Sequence, residues 1–372
     1  MKRIPLEGSW VLAVVLAFAS IPGSALAQSG EKASDKVIVG YLYGPPRDVA
    51  FPLYTHLCHA FVTADDDGFL NPGRGVPSRE LTTEAHRAGV KVLLSLGGWG
   101  WDDEFASMAM KPEAEDRYVK AVLKMVDDFD YDGIDLDWEY PDTTKEVVGF
   151  ERLCRRLRKG LDALGAKKGR PLALTMAASS NHGTLRWLNK DFLVGTMDWV
   201  NVMTYDFTGD WTDYAGHHSP LFGSSKQPGG SPRSTEATLK YLVEERGVPA
   251  NKLAVGIPLY GKGFAVKAPY ASTKGAPKVR MPNGDYRNLH KLQAEKNWTR
   301  HWDDETKNPW LISPDQTVVI GYDDAESAAL KAEWAKKQGF RGLFFWQVAG
   351  DRLPDGSNPV QEAARKAWGA GR

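Results

Sequence analysis

The sequence contains the stretch Asp132-Gly133-Ile134-Asp135-Leu136-Asp137-Trp138-Glu139-Tyr140-Pro141, in which acidic and apolar residues alternate. Alternate residues of a β-strand share a face, so Asp135, Asp137 and Glu139 point one way and the apolar residues between them point the other. Residues two apart lie roughly 6.8 Å from each other along a strand, so neighbouring carboxyl groups can share hydrogen bonds and protons. A surface strand would leave the apolar face in water, so we expect this strand to be buried.

Short apolar runs recur along the chain and alternate with amphipathic stretches. Eight runs are predicted as strands, at residues 37–42, 55–62, 91–96, 133–137, 172–177, 199–203, 252–257 and 342–346, and helices are predicted at 113–129, 145–164, 235–246 and 325–337. This alternation predicts a TIM (β/α)8 barrel, an α/β fold, because a parallel sheet must cover both its faces or close on itself. A doubly wound open sheet is the rival architecture, but no Gly-x-Gly-x-x-Gly turn follows an early strand.

The predicted barrel fold determines the direction in which the acidic face of the 133–137 strand points. Its apolar face must pack against helices, so the acids point into the barrel, with Glu139 at the carboxyl-terminal mouth where such barrels carry active sites. Burial of three adjacent acids is unfavourable unless some are protonated or paired, because like charges in a poorly solvated place raise one another's pKa. A divalent metal held by Asp-x-Asp-x-Glu is the rival interpretation. No His or further carboxylate cluster completes a metal shell at other strand ends, so the sequence favours proton-sharing acids and predicts neither metal nor cofactor.

The terminal segments and one long connection indicate the domain organisation. Residues 1–27 combine basic residues, an apolar run and a small-residue cleavage site, which predicts a signal peptide, and residues 28–35 form a short polar leader. The barrel domain is predicted at 36–370, with a small α+β subdomain inserted at 262–321 between strand 7 and helix 7, because the segment is too long for a bare loop. We expect a secreted protein, extracellular or periplasmic, with no membrane segment after cleavage, and a monomer.

The amino-acid composition limits the classes of ligand that the protein is expected to bind. The chain has 47 Lys and Arg against 47 Asp and Glu, and this neutrality without a basic run argues against nucleic acid. Its 13 Trp, 13 Tyr and 14 Phe indicate either a large core or a surface that stacks flat ligands. Cys58 and Cys154 lie in different predicted elements, so we expect two separate buried thiols rather than a disulfide.

The pattern Asp-x-x-Asp-x-Asp-x-Glu at 132–139 resembles the signature of glycoside hydrolase family 18, the chitinases and their relatives. Further segments are similar to that family in the same order along the chain, at 91–99, 203–207, 216–221, 256–261, 302–305 and 345–346. The resemblance covers nearly the whole chain after residue 27. It implies a secreted chitinase that hydrolyses β-1,4-linked N-acetylglucosamine polymers, chitin or chito-oligosaccharides, with retention of configuration.

The resemblance also implies catalytic roles. In this family the substrate's own N-acetyl carbonyl replaces the carboxylate nucleophile of other retaining glycosidases. Glu139 would act as general acid and then base, and Tyr205 would hydrogen-bond the acetamido oxygen. Asp137 would hold the acetamido N–H and stabilise the oxazolinium, while Asp135 would exchange a proton with Asp137.

Substrate-binding residues follow from the same resemblance. Trp346 would form the floor of the cleaving subsite, and flat indole rings suit the C–H face of a sugar. The other predicted substrate-binding residues are Trp99, Asp206, Met203, Tyr41, Phe61, Tyr260 and Trp211, of which Trp99, Trp211 and Tyr41 would extend the stacking platform. Lys262 departs from the family pattern, because many relatives with the insertion carry Arg there.

Two other functions stay open at this point. An endo-β-N-acetylglucosaminidase acting on glycoproteins or peptidoglycan would present the same acetamido group to the same strand. A chitin-binding lectin without catalysis is the alternative from a different class, but it would require loss of the terminal acid, and Glu139 is present.

Overall fold

The computed structural model describes residues 36–229, 233–279 and 284–369. The predicted signal peptide and leader lie outside the described residues, as does residue 370. The strands are β1 Val37–Tyr43, β2 His56–Ala64, β3 Leu70–Pro72, β4 Lys91–Gly97, β5 Gly133–Asp137, β6 Ala173–Ala178, β7 Trp199–Val202, β8 Leu253–Pro258, β9 Lys262–Phe264, β10 Thr299–Asp303, β11 Asn308–Ile312, β12 Val319–Gly321 and β13 Gly342–Trp346. The helices are α1 Arg79–Arg87, α2 Asp102–Met110, α3 Pro112–Asp128, α4 Thr144–Lys168, α5 His182–Leu185, α6 Lys190–Thr196, α7 Thr235–Lys240, α8 Tyr286–Glu295, α9 Ala325–Lys337 and α10 Pro359–Trp368.

Eight parallel strands close into a barrel in the order β1-β13-β8-β7-β6-β5-β4-β2, and β2 pairs back with β1. This confirms the predicted TIM (β/α)8 barrel. Every predicted barrel strand is present, with its ends shifted by at most two residues. β3 adds a short antiparallel strand to β2 outside the closed ring.

The two faces of β5 pack as the alternation of acidic and apolar residues predicts. Ile134, Leu136 and Trp138 belong to the large apolar cluster between the barrel and its helices. Asp135 and Asp137 are buried on the opposite face, toward the interior cluster that includes Tyr41 and other inward-facing side chains. The strand is therefore covered on both faces, as a central parallel strand must be.

The helices differ from their predictions mainly at their ends. α4 extends to Lys168, beyond the predicted end at 164, and Gly169 terminates it in the left-handed conformation at φ 68°. The predicted helix at 235–246 keeps α-helical hydrogen bonding only through Lys240, and Tyr241–Glu245 continues as a wider π-helical turn. Local periodicity does not distinguish these two hydrogen-bonding patterns.

The segment between β8 and α9 carries a second, four-stranded antiparallel sheet. Its strand order is β10-β11-β12-β9, and α8 lies between β9 and β10 in the chain. A small apolar cluster formed by Phe264, Val266, Trp310 and Val319, together with Ala215, packs within this region. Lys262, at the start of β9, follows the end of β8 by four residues and so lies near the barrel mouth.

Two further expectations can be compared with the described residues. Cys58 and Cys154 are both buried and free, which confirms that they form no disulfide with each other. Within the described ranges, no helix combines the length and the apolar character needed to cross a bilayer.

Candidate active site

Asp135 lies at the centre of the barrel and is fully buried. Its Oδ2 accepts hydrogen bonds from the hydroxyls of Tyr41 at 2.8 Å and Ser95 at 2.9 Å. Its Oδ1 accepts from the Thr175 hydroxyl at 2.6 Å and from Asn201 Nδ2 at 3.3 Å. Burial raises the pKa of Asp135 above its usual value, although the hydrogen bonds from these four side chains partly offset that rise.

Three of these partners were not assigned a role from the sequence. Ser95 on β4 and Thr175 on β6 lie directly beside Asp135 in the strand register, and Asn201 faces the same interior from β7. All three are polar residues inside predicted apolar strands, which is the signal that could have identified them. Whether these side chains point to the same side of the sheet as Asp135 depends on the exact strand register, which the sequence alone does not give.

Asp137 is one pair further along the same face and is 3% exposed. Its Oδ1 is buried and has no hydrogen-bond partner among the described residues. Burial, followed by the negative charges of Glu139 and Asp135, raises its pKa well above the usual value. Burial and the two neighbouring acids therefore favour the protonated form of Asp137. An unpartnered buried carboxyl oxygen points to a group that a ligand would complete.

Glu139 follows β5 at the mouth of the barrel. Its pKa is raised to about 7, mainly by burial and further by the negative charge of Asp206. The Tyr140 hydroxyl, which donates to Oε2 at 2.8 Å, opposes this rise. A carboxyl group with a pKa near 7 can both donate a proton and take one back at neutral pH. Tyr140 was not assigned a role from the sequence, although it directly follows the acid.

Tyr205 and Asp206 follow the end of β7. The Tyr205 side chain is 7% exposed, and its ring centroid lies 6.2 Å from that of Tyr260. Asp206 has a left-handed backbone at φ 57°, and its Oδ1 accepts a 2.7 Å hydrogen bond from the Tyr260 hydroxyl. Lys262 Nζ and His218 Nδ1 lie 3.3 and 3.4 Å from that oxygen. Burial raises the pKa of Asp206, but His218 and Lys262 outweigh it and hold the pKa below its usual value.

Trp346, at the end of β13, is the centre of an aromatic group at the mouth. The Phe61 ring stacks on it, with the centroids 5.7 Å apart and the planes 22° from parallel. Tyr43 lies 6.1 Å from the same indole and is 62% exposed. Tyr43 was not assigned a role from the sequence, although it directly follows the first predicted strand at 37–42.

Tyr41 does not fit its predicted place on the stacking platform. It is 1% exposed, and its ring lies 5.7 Å from Trp346 while its hydroxyl bonds Asp135. It therefore supports Trp346 and Asp135 from beneath and offers no face to a sugar. Its place on β1 makes it inward-facing, and burial depth along a barrel strand is not visible in the sequence. Met203 is likewise buried in the interior cluster, at 9% exposure.

Two of the remaining predicted binding residues, Trp211 and Tyr260, line a cavity of about 420 Å³ beside Trp346. Trp211, Tyr260 and Lys262 line it, and Lys262 Nζ lies 5.0 Å from the centroid of the Trp211 ring. Trp211 is 56% exposed. Trp99 is 78% exposed on the loop after β4, and within the described part of the chain it is not among the residues lining this cavity.

No group of three or more His, Cys, Asp or Glu side chains in the described ranges is arranged to hold a metal ion. The site is therefore a line of three carboxyl groups, those of Asp135, Asp137 and Glu139. The phenol of Tyr205 and the aromatic rings of Trp346 and Phe61 lie around Glu139, at the barrel mouth.

Residues 28–351 match the family model of glycosyl hydrolases family 18. The chain belongs to that family. This family 18 glycosyl hydrolase is 31% identical over 287 residues to Chitinase A1 of Niallia circulans, in a match that covers 71% of this chain and 41% of that protein. It is 26% identical over 402 residues to Chitinase 1 of Aphanocladium album, covering 96% of this chain and 93% of the relative.

Solved structures resemble this family 18 glycosyl hydrolase over most of its length. A mutant of the family 18 chitinase from Cycas revoluta in complex with (GlcNAc)4 superposes with a TM-score of 0.79 at 26% identity, covering 90% of this chain and 100% of that chain. The same plant chitinase in complex with allosamidin gives the same TM-score, identity and coverage. These likenesses make the chain a glycoside hydrolase with the family's barrel.

Proposed function

We propose that this protein is a secreted chitinase that hydrolyses β-1,4-linked N-acetylglucosamine polymers with retention of configuration. The observation that carries the proposal is the carboxyl line of β5. Glu139, with a pKa of about 7, stands at the mouth, and Asp137 behind it has a raised pKa and a buried oxygen without a partner in the described residues. The similarity to chitinases of N. circulans and A. album, and to a structure in complex with (GlcNAc)4, supports the substrate class.

The proposed first step breaks the glycosidic bond. Glu139 gives its proton to the leaving glycosidic oxygen as the bond from that oxygen to the anomeric carbon breaks. The acetamido carbonyl oxygen of the same sugar forms the new bond to that carbon, which produces an oxazolinium. Asp137 and Glu139 come from one face of one strand, so they are poorly placed to flank the bond as the usual acid and nucleophile pair.

The proposed second step reverses the roles. Water attacks the anomeric carbon, Glu139 takes its proton, and the acetamido oxygen leaves, so configuration is retained overall. Asp137 accepts a hydrogen bond from the acetamido N–H and stabilises the positive charge, and Asp135 exchanges a proton with Asp137. Tyr205 donates its hydroxyl to the acetamido oxygen.

In the proposed binding mode a sugar ring rests on Trp346, beside Phe61. Asp206, Tyr260, Trp211 and Trp99 contact neighbouring sugars, and the cavity lined by Trp211 and Tyr260 accommodates part of the chain. Met203 contributes from the interior wall. Stacking of sugar rings on aromatic faces needs no net charge, which agrees with a chain of zero formal charge.

The proposal includes the organisation of the chain. Residues 1–27 are a signal peptide, 28–35 a leader and 36–370 the catalytic barrel, with 262–321 as an inserted α+β subdomain. The product is secreted, extracellular or periplasmic, and acts as a monomer. The antiparallel sheet of β9 to β12 and the helix α8 support the subdomain assignment.

A product assay tests the substrate class. We expect the purified protein to release chitobiose from colloidal chitin and to leave a high-mannose glycopeptide and peptidoglycan intact. Cleavage of the glycopeptide or of peptidoglycan, with chitin untouched, would instead establish the endo-β-N-acetylglucosaminidase alternative. Binding of chitin with no release from any of the three substrates would establish a lectin.

A further inference from the structure

A buried ion pair lies behind the loop that carries Tyr205 and Asp206. Lys331, on α9, is fully buried, and its Nζ lies 2.6 and 2.7 Å from the two carboxylate oxygens of Asp323. The same ammonium group donates to the carbonyl oxygen of Ser219 and, at 2.7 Å, to its Oγ. Lys331 therefore joins the start of α9 to the loop that follows β7.

The ion pair is held in a polar network rather than standing alone. Asp323 Oδ1 also accepts from the Ser327 hydroxyl at 2.7 Å and from Asn308 Nδ2 at 3.2 Å. Burying such a pair costs solvation, and apolar side chains of similar volume often stabilise a fold equally well. Stability alone therefore does not explain a charged group at this position. The hydrogen bonds from Lys331 to Ser219 offer an explanation.

Those hydrogen bonds lead to the backbone on both sides of Tyr205 and Asp206. Ser219 Oγ donates to the carbonyl oxygen of Thr204 at 3.1 Å, which precedes the two residues. The backbone N–H of Phe207, which follows them, donates to the His218 carbonyl at 3.0 Å. Residues 218 and 219 thus form a clamp across the 204–207 segment, and Lys331 holds the clamp from behind.

The 204–207 segment needs such a clamp. Asp206 has φ 57°, a conformation that costs free energy for a residue with a side chain and persists only where the surroundings fix it. His218 also places Nδ1 3.4 Å from Asp206 and Nε2 3.0 Å from the carbonyl oxygen of Tyr260. Relaxation of residues 218 and 219 would therefore allow Asp206 to leave its strained conformation and move Tyr205 with it.

We propose that Lys331 is a positioning residue, which acts through Ser219 to fix Tyr205 and Asp206 at the mouth of the barrel. The inference rests on the proposed function, in which Tyr205 contacts the acetamido group of the substrate. Lys331 itself touches no substrate. Misplacing a group by about 1 Å at the reacting centre can cost on the order of 100-fold in rate, so loss of the clamp lowers kcat more than it raises KM.

The test uses the full protein, a series of N-acetylated chito-oligosaccharides and measurements of kcat, KM and melting temperature. Lys331→Met leaves Asp323 buried without its cation, so both melting temperature and kcat fall. Lys331→Met combined with Asp323→Asn removes both charges, and we expect it to recover most of the melting temperature while kcat stays about 10- to 100-fold below the wild type. Ser219→Ala removes the hydroxyl that connects Lys331 to the Thr204 carbonyl and keeps the Lys331 hydrogen bond to the Ser219 carbonyl, so it should lower kcat with a small change in melting temperature.

A matched control comes from a second buried carboxylate, which lies on the outer helices of the barrel. Glu115 is 1% exposed and lies between α3 and α4, paired with Arg152 and with Arg156 at 3.0 Å. Glu115→Gln should lower the melting temperature and leave kcat at the wild-type value. A double Lys331 and Asp323 variant, or a Ser219→Ala variant, with wild-type kcat would overturn the positioning role. A wild-type protein inactive on these oligosaccharides would instead refute the proposed function.

Discussion

Removal of the Tyr140 hydroxyl is predicted to move the alkaline limb of the pH profile to higher pH. That hydroxyl donates to Glu139 Oε2 at 2.8 Å, and the hydrogen bond favours the ionised carboxylate. Tyr140→Phe therefore favours the protonated form and raises the pKa of Glu139 above its present value of about 7. Because the proposed first step needs Glu139 protonated, the variant stays active to a higher pH.

The magnitude follows from the strength of the lost hydrogen bond. A hydrogen bond to a charged group contributes about 1.5–3 kcal/mol, and one pKa unit corresponds to about 1.4 kcal/mol, so full loss would raise the pKa by about 1–2 units. Glu139 is partly exposed at the mouth, and water replaces part of the lost interaction. We therefore expect a shift of about 1 unit, from near 7 to about 8.

The assay is kcat/KM on a soluble chito-oligosaccharide between about pH 4 and pH 10, because this ratio reports the groups of the free enzyme. Tyr118→Phe is the matched control, since it removes a buried hydroxyl from α3 on the outside of the barrel. The control should keep the wild-type profile. An alkaline limb that stays in place, or moves to lower pH, in Tyr140→Phe would refute a Tyr140 hydroxyl that holds down the pKa of Glu139.

Two other predictions concern the acid and the absence of a metal. Glu139→Gln should lower kcat by about 10²- to 10⁴-fold. Its oligosaccharide binding, measured by tryptophan fluorescence, should stay within a few-fold of the wild type. Asp142 is an exposed acid nearby, and Asp142→Asn is the control that should retain full activity. Substantial hydrolysis by Glu139→Gln would remove it from the role of general acid. Incubation with EDTA should leave activity unchanged, and inhibition that a divalent cation reverses would favour the metal interpretation of the three carboxylates.

The sequence was sufficient to predict the barrel, because the alternation at 132–139 and the series of apolar runs are both patterns of residues close together in the chain. The alternation of acidic and apolar residues at 132–139 requires two different environments on the two sides of one strand. Eight short apolar runs that alternate with amphipathic stretches leave few ways to cover a parallel sheet. The direction of Asp135, Asp137 and Glu139 could be deduced for the same reason. The ends of the elements were less certain, as at 235–246, because local hydrophobic periodicity does not distinguish an α-helix from a π-helical turn.

The sequence by itself determined which residues carry the proposed chemistry: three carboxyl groups at intervals of two, followed by an aromatic residue at the end of the last strand. Only the tertiary structure decided their environment. Ser95, Thr175 and Asn201 meet Asp135 from three different strands, Tyr41 lies beneath Trp346 rather than beside a sugar, and Lys331 reaches Ser219 across 112 residues of sequence. Strand spacing is fixed by covalent geometry and is visible in the sequence, whereas register, burial depth and contacts between distant segments arise only when the barrel closes.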